Sequence, residues 1–176
     1  MINVVMSKDA ATILGDIQEV ELTARKYFAT SFLRMPVISK ARFSQQLPFL
    51  YTTPRADFTL LCLCLHLTIQ RPDEVEYGAS MYSSTYIMIK SFISAIESLT
   101  PLTLTAIQAM VLTVLYEMGH GMYPVASISI AACARSARVI RLNRKENRVL
   151  QKENISSWEA NEEQRRVWWA ITNLDR

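Results

Sequence analysis

Two short clusters contain the residue types that bind metal ions or transfer protons. Cys62-x-Cys64-x-His66 has the composition of a transition-metal site, and Glu117-x-x-His120 has the spacing that di-iron helical bundles use. Zinc sites normally combine two closely spaced ligand pairs, and a di-iron bundle needs a second Glu-x-x-His copy plus two further glutamates. This sequence has neither a second ligand pair nor a second Glu-x-x-His copy. We therefore expect no metal site and no catalytic residue here, and we expect the cysteines to pack in the core.

A run of arginines is the strongest charge pattern in the chain. Arg135, Arg138, Arg141, Arg144 and Arg148 follow one another at near-helical spacing. Clustered positive charge gives sequence-independent affinity for nucleic acid. However, no aromatic residue lies among the arginines, and Glu146 and Glu153 reduce the local charge. The pattern favours a solvated or acid-paired basic face over a phosphate-binding one.

The C-terminal run places two arginines and two tryptophans on one helix. Its notable residues are Arg165, Arg166, Trp168, Trp169, Asp175 and Arg176. Glu162 precedes the first two arginines by three and four residues, which is the favourable order for helical ion pairs. Trp168 shares a stripe with Ile171 and Leu174, whereas Trp169 points about 100° away. We expect structural ion pairs and core packing here, with a regulatory contact surface as the alternative.

The composition fits one domain with a substantial core. Of 176 residues, half are hydrophobic and a fifth are charged, and the net charge is only +3. Three cysteines are an odd number and indicate a reducing compartment rather than a disulfide framework. The sequence has no secretory signal, no apolar run near the roughly 20 residues that span a bilayer, and no recognisable enzyme motif.

Apolar periodicity predicts an all-α fold of about seven helices. Residues 1–16 are poorly patterned and are expected to fray. Helices are expected from Ile17 to Phe32, between Pro54 and Pro72, over residues 79–98 and 104–118, and from Pro124 to Leu142. The second of these contains alternating leucines that are typical of a strand. Its length between prolines favours a buried helix instead.

Local signals mark where these helices should begin and end. Thr53-Pro54 and Thr100-Pro101 are predicted helix starts, and Gly119 and Gly121 a helix end. The last helix is expected to begin at Ser156 or Asn161, since both have capping-box spacing. Four apolar residues are expected to anchor the connection after Pro36, namely Phe43, Leu47, Phe49 and Leu50.

Several motifs in the correct order resemble the fungal-specific transcription factor domain, the helical regulatory part of fungal zinc-cluster regulators. The C-terminal run is similar to its E-x-R-R-x-W-W … L-D-R signature. Residues 105–124 are similar to its T-x-Q-A … L-Y-E-h-G-x-G-x-Y stretch, and Tyr27-Phe28 to its opening segment. The chain departs from the pattern at Arg141, where glycine is usual, and at Asn143, where histidine is usual.

The resemblance implies that residues 17–176 are the front half of a larger helical regulatory domain. The family's DNA-binding module needs six cysteines around zinc, and this chain has three in another arrangement. We therefore expect no cofactor in this chain, zinc only in the missing module, and no direct DNA binding by the chain alone. Implied partners are other transcription regulators, a family paralogue or a small-molecule effector, in the nucleus and not at a membrane.

Two alternatives to a regulatory domain of RNA polymerase II transcription stay open. One is an interaction module that sequesters a full-length partner and has no DNA binding of its own. The other is a small all-α enzyme or metal protein, which would have to use the clusters around Cys62 and Glu117.

Overall fold

The fold is described for residues 2–30, 35–70, 82–143 and 155–176 of a computed structural model, with side chains from residue 158 onward in the last segment. These residues form eight α-helices and no strand, so the all-α prediction is confirmed with one helix more than the seven expected. The helices are α1 Ile2–Leu14, α2 Ile17–Ala29, α3 Lys40–Gln46, α4 Ala56–Ile69, α5 Ser84–Leu99, α6 Leu104–Gly119, α7 Tyr123–Val139 and α8 Ile155–Leu174.

The helix α4 is the centre of the molecule. It packs against α1, α2, α5 and α6, and every residue from Ala56 to Leu65 is buried. A helix that is apolar all round is a fully buried one. This explains the alternating leucines. A helix that is buried on every side needs no polar face, so leucine can occupy any position along it. The prediction of a buried helix is confirmed.

The N-terminal residues form a helix where weak patterning suggested fraying. Met6, Ala10 and Leu14 are spaced four residues apart along α1 and are buried, and α1 packs on α4. Asn3 Oδ1 accepts a hydrogen bond from the backbone N–H of Ala56 at 3.1 Å. Only three buried apolar side chains occur in this helix of 13 residues, so the apolar periodicity of its sequence is weak. The packing partner, rather than the local pattern, stabilises this helix.

Two predicted helix starts were misplaced. Helix α4 begins at Ala56, two residues after Pro54, and α6 is capped by Thr103 rather than Thr100. The Thr103 hydroxyl accepts from the N–H of Ala106 at 3.1 Å and donates to Asp57 Oδ2 at 2.8 Å. The cap therefore depends on a carboxylate from another helix, which no local sequence signal reveals.

For the start of the last helix the Ser156 alternative was within one residue, whereas the Asn161 alternative was wrong, as was the prediction for Phe49. Helix α8 begins at Ile155, close to Ser156, whereas Asn161 lies inside it. Phe49 is 58% exposed, although Phe43, Leu47 and Leu50 are buried as expected. Leu47–Phe49 forms a 3₁₀ turn. Residues three apart eclipse each other in such a turn, so Leu47 and Leu50 share the inner side and Phe49 points outward.

The helices α6 and α7 end in the same left-handed capping motif. After α6, Gly121 has φ of +71°, and the next N–H, of Met122, donates to Glu117 O at 2.8 Å. After α7, Arg141 has φ of +62°, and the N–H of Leu142 donates to Ala137 O at 3.0 Å. Arginine thus occupies a position that glycine adopts without strain.

Arg141→Gly should stabilise the protein by about 0.5–1 kcal/mol. Relief of the left-handed conformation gives about 1–2 kcal/mol, and part of this is offset by the greater freedom of glycine in the unfolded chain. Urea unfolding monitored by circular dichroism measures the change. Arg141→Ala is the matched control, because it removes the side chain and keeps the strain. Equal stability of the two variants would contradict the strain argument.

None of the described helices combines the length and apolar character required to cross a lipid bilayer.

Candidate functional site

Helix α8 carries the C-terminal signature and lies against α6 and α7. Val167, Ala170 and Ile171 are at most 1% exposed and form its inner stripe at helical spacing. Trp168 is half-buried against the same core. Trp169 is 56% exposed. The two adjacent tryptophans therefore differ in environment, as expected from their angular separation.

The ion pairs expected on α8 form around Glu162. Its carboxylate lies 2.8 Å from Arg165 Nη2 and 3.1 Å from Arg166 Nε. The hydrogen bond from Arg165, with a smaller contribution from Arg166, lowers the pKa of Glu162. Asp175 and Arg176 are exposed at the helix end and join no ion pair within the described part of the chain. Such surface pairs contribute little to stability, and the network is smaller than the sequence suggested.

The neighbouring Glu163 is a buried polar centre that sequence reasoning missed. It is 6% exposed, and its Oε1 accepts from the backbone N–H of Ser39 at 2.8 Å and from Gln108 Nε2 at 2.7 Å. Its other oxygen, Oε2, pairs with Arg42 Nη1 at 2.5 Å. Gln108 Nε2 also donates to Val37 O at 2.7 Å. One carboxylate therefore ties α8 to α6, α3 and the segment before α3.

The space beside Glu163 is a small polar recess. It lies between α3, α4, α6 and α8 and measures about 20 Å³. This volume accommodates roughly one water molecule. Gln46 Oε1 lines the recess, is buried, and lacks a hydrogen-bond partner among the described residues. The recess suits a bridging water between Gln46 and the Glu163 cluster rather than an organic ligand.

A second buried carboxylate, Glu117, joins α5, α6 and α7. Its side chain is fully buried, and Oε1 accepts from Tyr86 OH at 2.8 Å, Lys90 Nζ at 3.0 Å and Ser129 Oγ at 3.0 Å. Lys90 Nζ also donates to Ser129 Oγ at 2.7 Å. Burial, followed by the hydrogen bond to Glu117, raises the pKa of Tyr86. The phenol therefore remains a donor throughout the physiological pH range.

Residues of the two metal-like clusters have structural partners in the packing of the helices. His120 Nδ1 lies 2.8 Å from Tyr116 O, and its ring contacts the Tyr116 ring at an angle of 35°, so Glu117 and His120 have different partners. Cys62 and Cys64 are completely buried, as predicted, and Cys64 Sγ contacts Thr113 Oγ1 at 3.5 Å. Within the described ranges no three His, Cys, Asp or Glu side chains come together as a metal site would require.

The buried thiols should resist labelling in the native state. Burial raises the pKa of Cys64 to about 12 and raises that of Cys62 as well. Because the thiolate is the reactive form, we expect native protein to react with Ellman's reagent at about pH 8 far more slowly than urea-unfolded protein. Unfolded thiols ionise first, so stability should fall as pH rises above about 8.5, by about 1.4 kcal/mol per pH unit for each thiol. Rapid labelling of native protein would contradict this packing.

The candidate basic face is only partly described. Arg135, Arg138 and Arg141 are exposed, and none forms an ion pair with a described carboxylate. Arg144 and Arg148 lie outside the described residues. Arg135 and Arg138 lie on α7, and Arg141 follows the C-terminal end of this helix.

Comparisons with known proteins agree with the C-terminal signature. Residues 25–176 match the model of the "Fungal specific transcription factor domain" family. The chain is similar to a protein described as "Transcription factor BOA15" from Botryotinia fuckeliana (strain B05.10). The two are 33% identical over 157 residues, which cover 89% of this chain and 86% of that protein. No solved structure matches the chain.

Proposed function

The chain belongs to the fungal specific transcription factor domain family, and from this premise we propose that it is a regulatory domain that controls the activity of a nuclear transcription factor. On this proposal the chain acts on genes that RNA polymerase II transcribes, in a regulator whose DNA contacts come from a zinc-cluster module. The domain itself is a non-enzymatic protein-interaction unit and needs no cofactor.

The family match over residues 25–176 is the observation that carries this proposal. It extends from α2 to the end of the chain and includes both buried carboxylates. Glu117 and Glu163 hold helices together, and neither opens into a cavity of ligand size among the described residues. This arrangement suits a protein whose output depends on how its helices pack.

The proposed mechanism is a change in the packing of α8. This helix contacts α6 and α7 through one apolar stripe, and its polar tie to α3 and α6 is Glu163. A partner or effector shifts the packing only if it binds one arrangement better than the other. An effector would therefore act at or near α8, where few contacts have to change.

A tethering experiment in yeast tests the proposal. The chain is placed between a heterologous DNA-binding domain and a constitutive activation domain, and reporter expression is compared with that of an inert spacer of equal length. We expect a severalfold change in reporter output, and loss of that change in the Glu163→Ala variant. Equal output from the domain and the spacer, at equal protein levels, would contradict a regulatory role.

The exposed tryptophans favour a second candidate, a module that sequesters a full-length family member. Trp158 and Trp169 are both 56% exposed, and tryptophan is enriched among residues that dominate binding energy at protein interfaces. Co-expression with a tagged paralogue separates the two candidates. Sequestration is favoured if the paralogue co-purifies with the chain and Trp169→Ser abolishes this co-purification. Regulation in cis is favoured if the tethered chain changes reporter output in cells that contain no paralogue.

A further inference from the structure

We propose that the outer face of α7 binds an acidic, amphipathic peptide segment of a partner protein. This inference deepens the proposed regulatory function and rests on it. It assigns a partner chemistry to a surface that neither buried carboxylate cluster uses.

The outer face of α7 combines exposed aliphatic side chains with arginine. Ile128 is 70% exposed and Val139 is 71% exposed, and Arg135 lies between them. These three residues are seven and four positions apart, so they line one stripe of the helix. Ala131 and Ala132 lie between Ile128 and Arg135 on the same side and are half-buried. The stripe is therefore shallow in the middle and apolar at both ends.

Positive charge on this face is uncompensated within the described residues. Arg135, Arg138 and Arg141 are exposed and pair with no described carboxylate. Two carboxylates contact α7 from neighbouring helices, and both do so at buried serines. Glu117 accepts from Ser129 Oγ at 3.0 Å, and Glu97 accepts from Ser136 Oγ at 2.9 Å. Ser136 is buried and faces α5, about 100° from Arg135. A ligand on the outer face therefore meets exposed guanidinium groups that no described carboxylate pairs with.

An acidic amphipathic peptide satisfies both features of this face. Aspartate or glutamate side chains can form bidentate bonds with arginine, and bulky apolar side chains can cover Ile128 and Val139. A nucleic-acid backbone supplies the anionic part alone and leaves the aliphatic side chains in water. The face also lacks aromatic residues on which bases could stack. Charge complementarity and exposed aliphatic area together favour the peptide.

The test measures binding of a fluorescent synthetic peptide that alternates aspartate with leucine and phenylalanine. A second peptide replaces the apolar residues with serine, and a random-sequence DNA duplex is the third probe. Anisotropy titration should show binding of the first peptide that is at least about tenfold tighter than that of the second. The affinity for the first peptide should decrease as salt is raised, because arginine contacts contribute.

Two double variants and a matched control assign the surface. Arg135→Ala with Arg138→Ala, and Ile128→Ser with Val139→Ser, should each weaken peptide binding about tenfold or more. The control changes Leu22→Ser and Lys26→Ala, an exposed leucine and an exposed lysine on α2, and should leave binding unchanged. Thermal melting of each variant checks the fold, and we expect melting temperatures close to that of the unaltered protein.

Three outcomes would overturn the inference. These are equal binding of the serine peptide, tighter binding of the duplex than of the amphipathic peptide, and absence of peptide binding. Each is distinguishable from failure of the proposed function. If the tethered domain still alters reporter output, the regulatory function stands and only this surface assignment is lost.

Discussion

Lys90→Met should lower the free energy of unfolding by about 3 kcal/mol, the largest loss we expect from a single substitution. The change leaves the Glu117 carboxylate fully buried without its cation. Removing one partner of a buried ion pair costs about 3–5 kcal/mol, because the remaining charge is uncompensated. The lower end applies, since the Lys90 side chain is 35% exposed and water can reach part of the site.

Urea unfolding followed by circular dichroism measures this effect, with Lys26→Met as the matched control. Lys26 is exposed on α2 and forms no ion pair with a described residue, so its replacement should change stability by less than about 0.5 kcal/mol. The double variant Lys90→Met with Glu117→Met should recover much of the loss, because an apolar pair of similar volume removes the uncompensated charge. A small effect of Lys90→Met would show that the pair is not structurally important.

The double variant also addresses why a charged group lies in this core. If Glu117 serves only to hold α5, α6 and α7 together, the apolar double variant should keep the tethered regulatory activity. If the ion pair selects one helix packing, the double variant should be stable but inactive. Stability and activity measured on the same protein separate these two roles.

Helix type and the central core could be predicted because they depend on local periodicity and composition. The mostly apolar run of α4 indicated burial, and its length between prolines favoured a helix over a strand. The helix end at Gly121 was predicted because glycine adopts the left-handed conformation easily. The end of α7 was predicted at Leu142, whereas the helix ends at Val139 and Arg141 adopts the left-handed conformation. The start of α6 was wrongly predicted at Thr100. The residue that caps this helix is Thr103, and its hydroxyl also bonds Asp57 from α4, a contact that no local pattern indicates.

The two buried carboxylates illustrate the limit of sequence reasoning. Glu162 was recognised because its arginine partners are three and four residues away. Glu163 is adjacent, yet its partners Arg42 and Ser39 are 121 and 124 residues away in sequence. Glu117 offered a weak signal, as an acid within an apolar helix. Nothing local identified Lys90 as its partner, because α5 and α6 meet only in the folded chain.

Glu163→Ala should destabilise the protein by about 2–3 kcal/mol and should loosen α8 in particular. The substitution leaves the partly buried N–H of Ser39 without an acceptor and removes one bond of the buried Gln108 amide. An unsatisfied buried donor costs about 1–3 kcal/mol. Loss of the ion pair with Arg42 adds less to the destabilisation, because the Arg42 side chain is 42% exposed and can be hydrated. Glu163→Gln should have a smaller effect, since its carbonyl oxygen can still accept from Ser39 or Gln108.

Hydrogen exchange of the native protein measures the local consequence, with Glu159→Ala as the control on the same helix. Glu159 is exposed and forms no ion pair among the described residues, so its loss should leave exchange in α8 unchanged. In Glu163→Ala, amides of α8 should exchange faster by about tenfold or more, while α4 and α6 change only through the global loss of stability. Uniform acceleration across all helices would show that α8 is part of the global folding unit. In that case Glu163 could not serve as a separate tie, and the proposed shift of α8 packing would have to be abandoned.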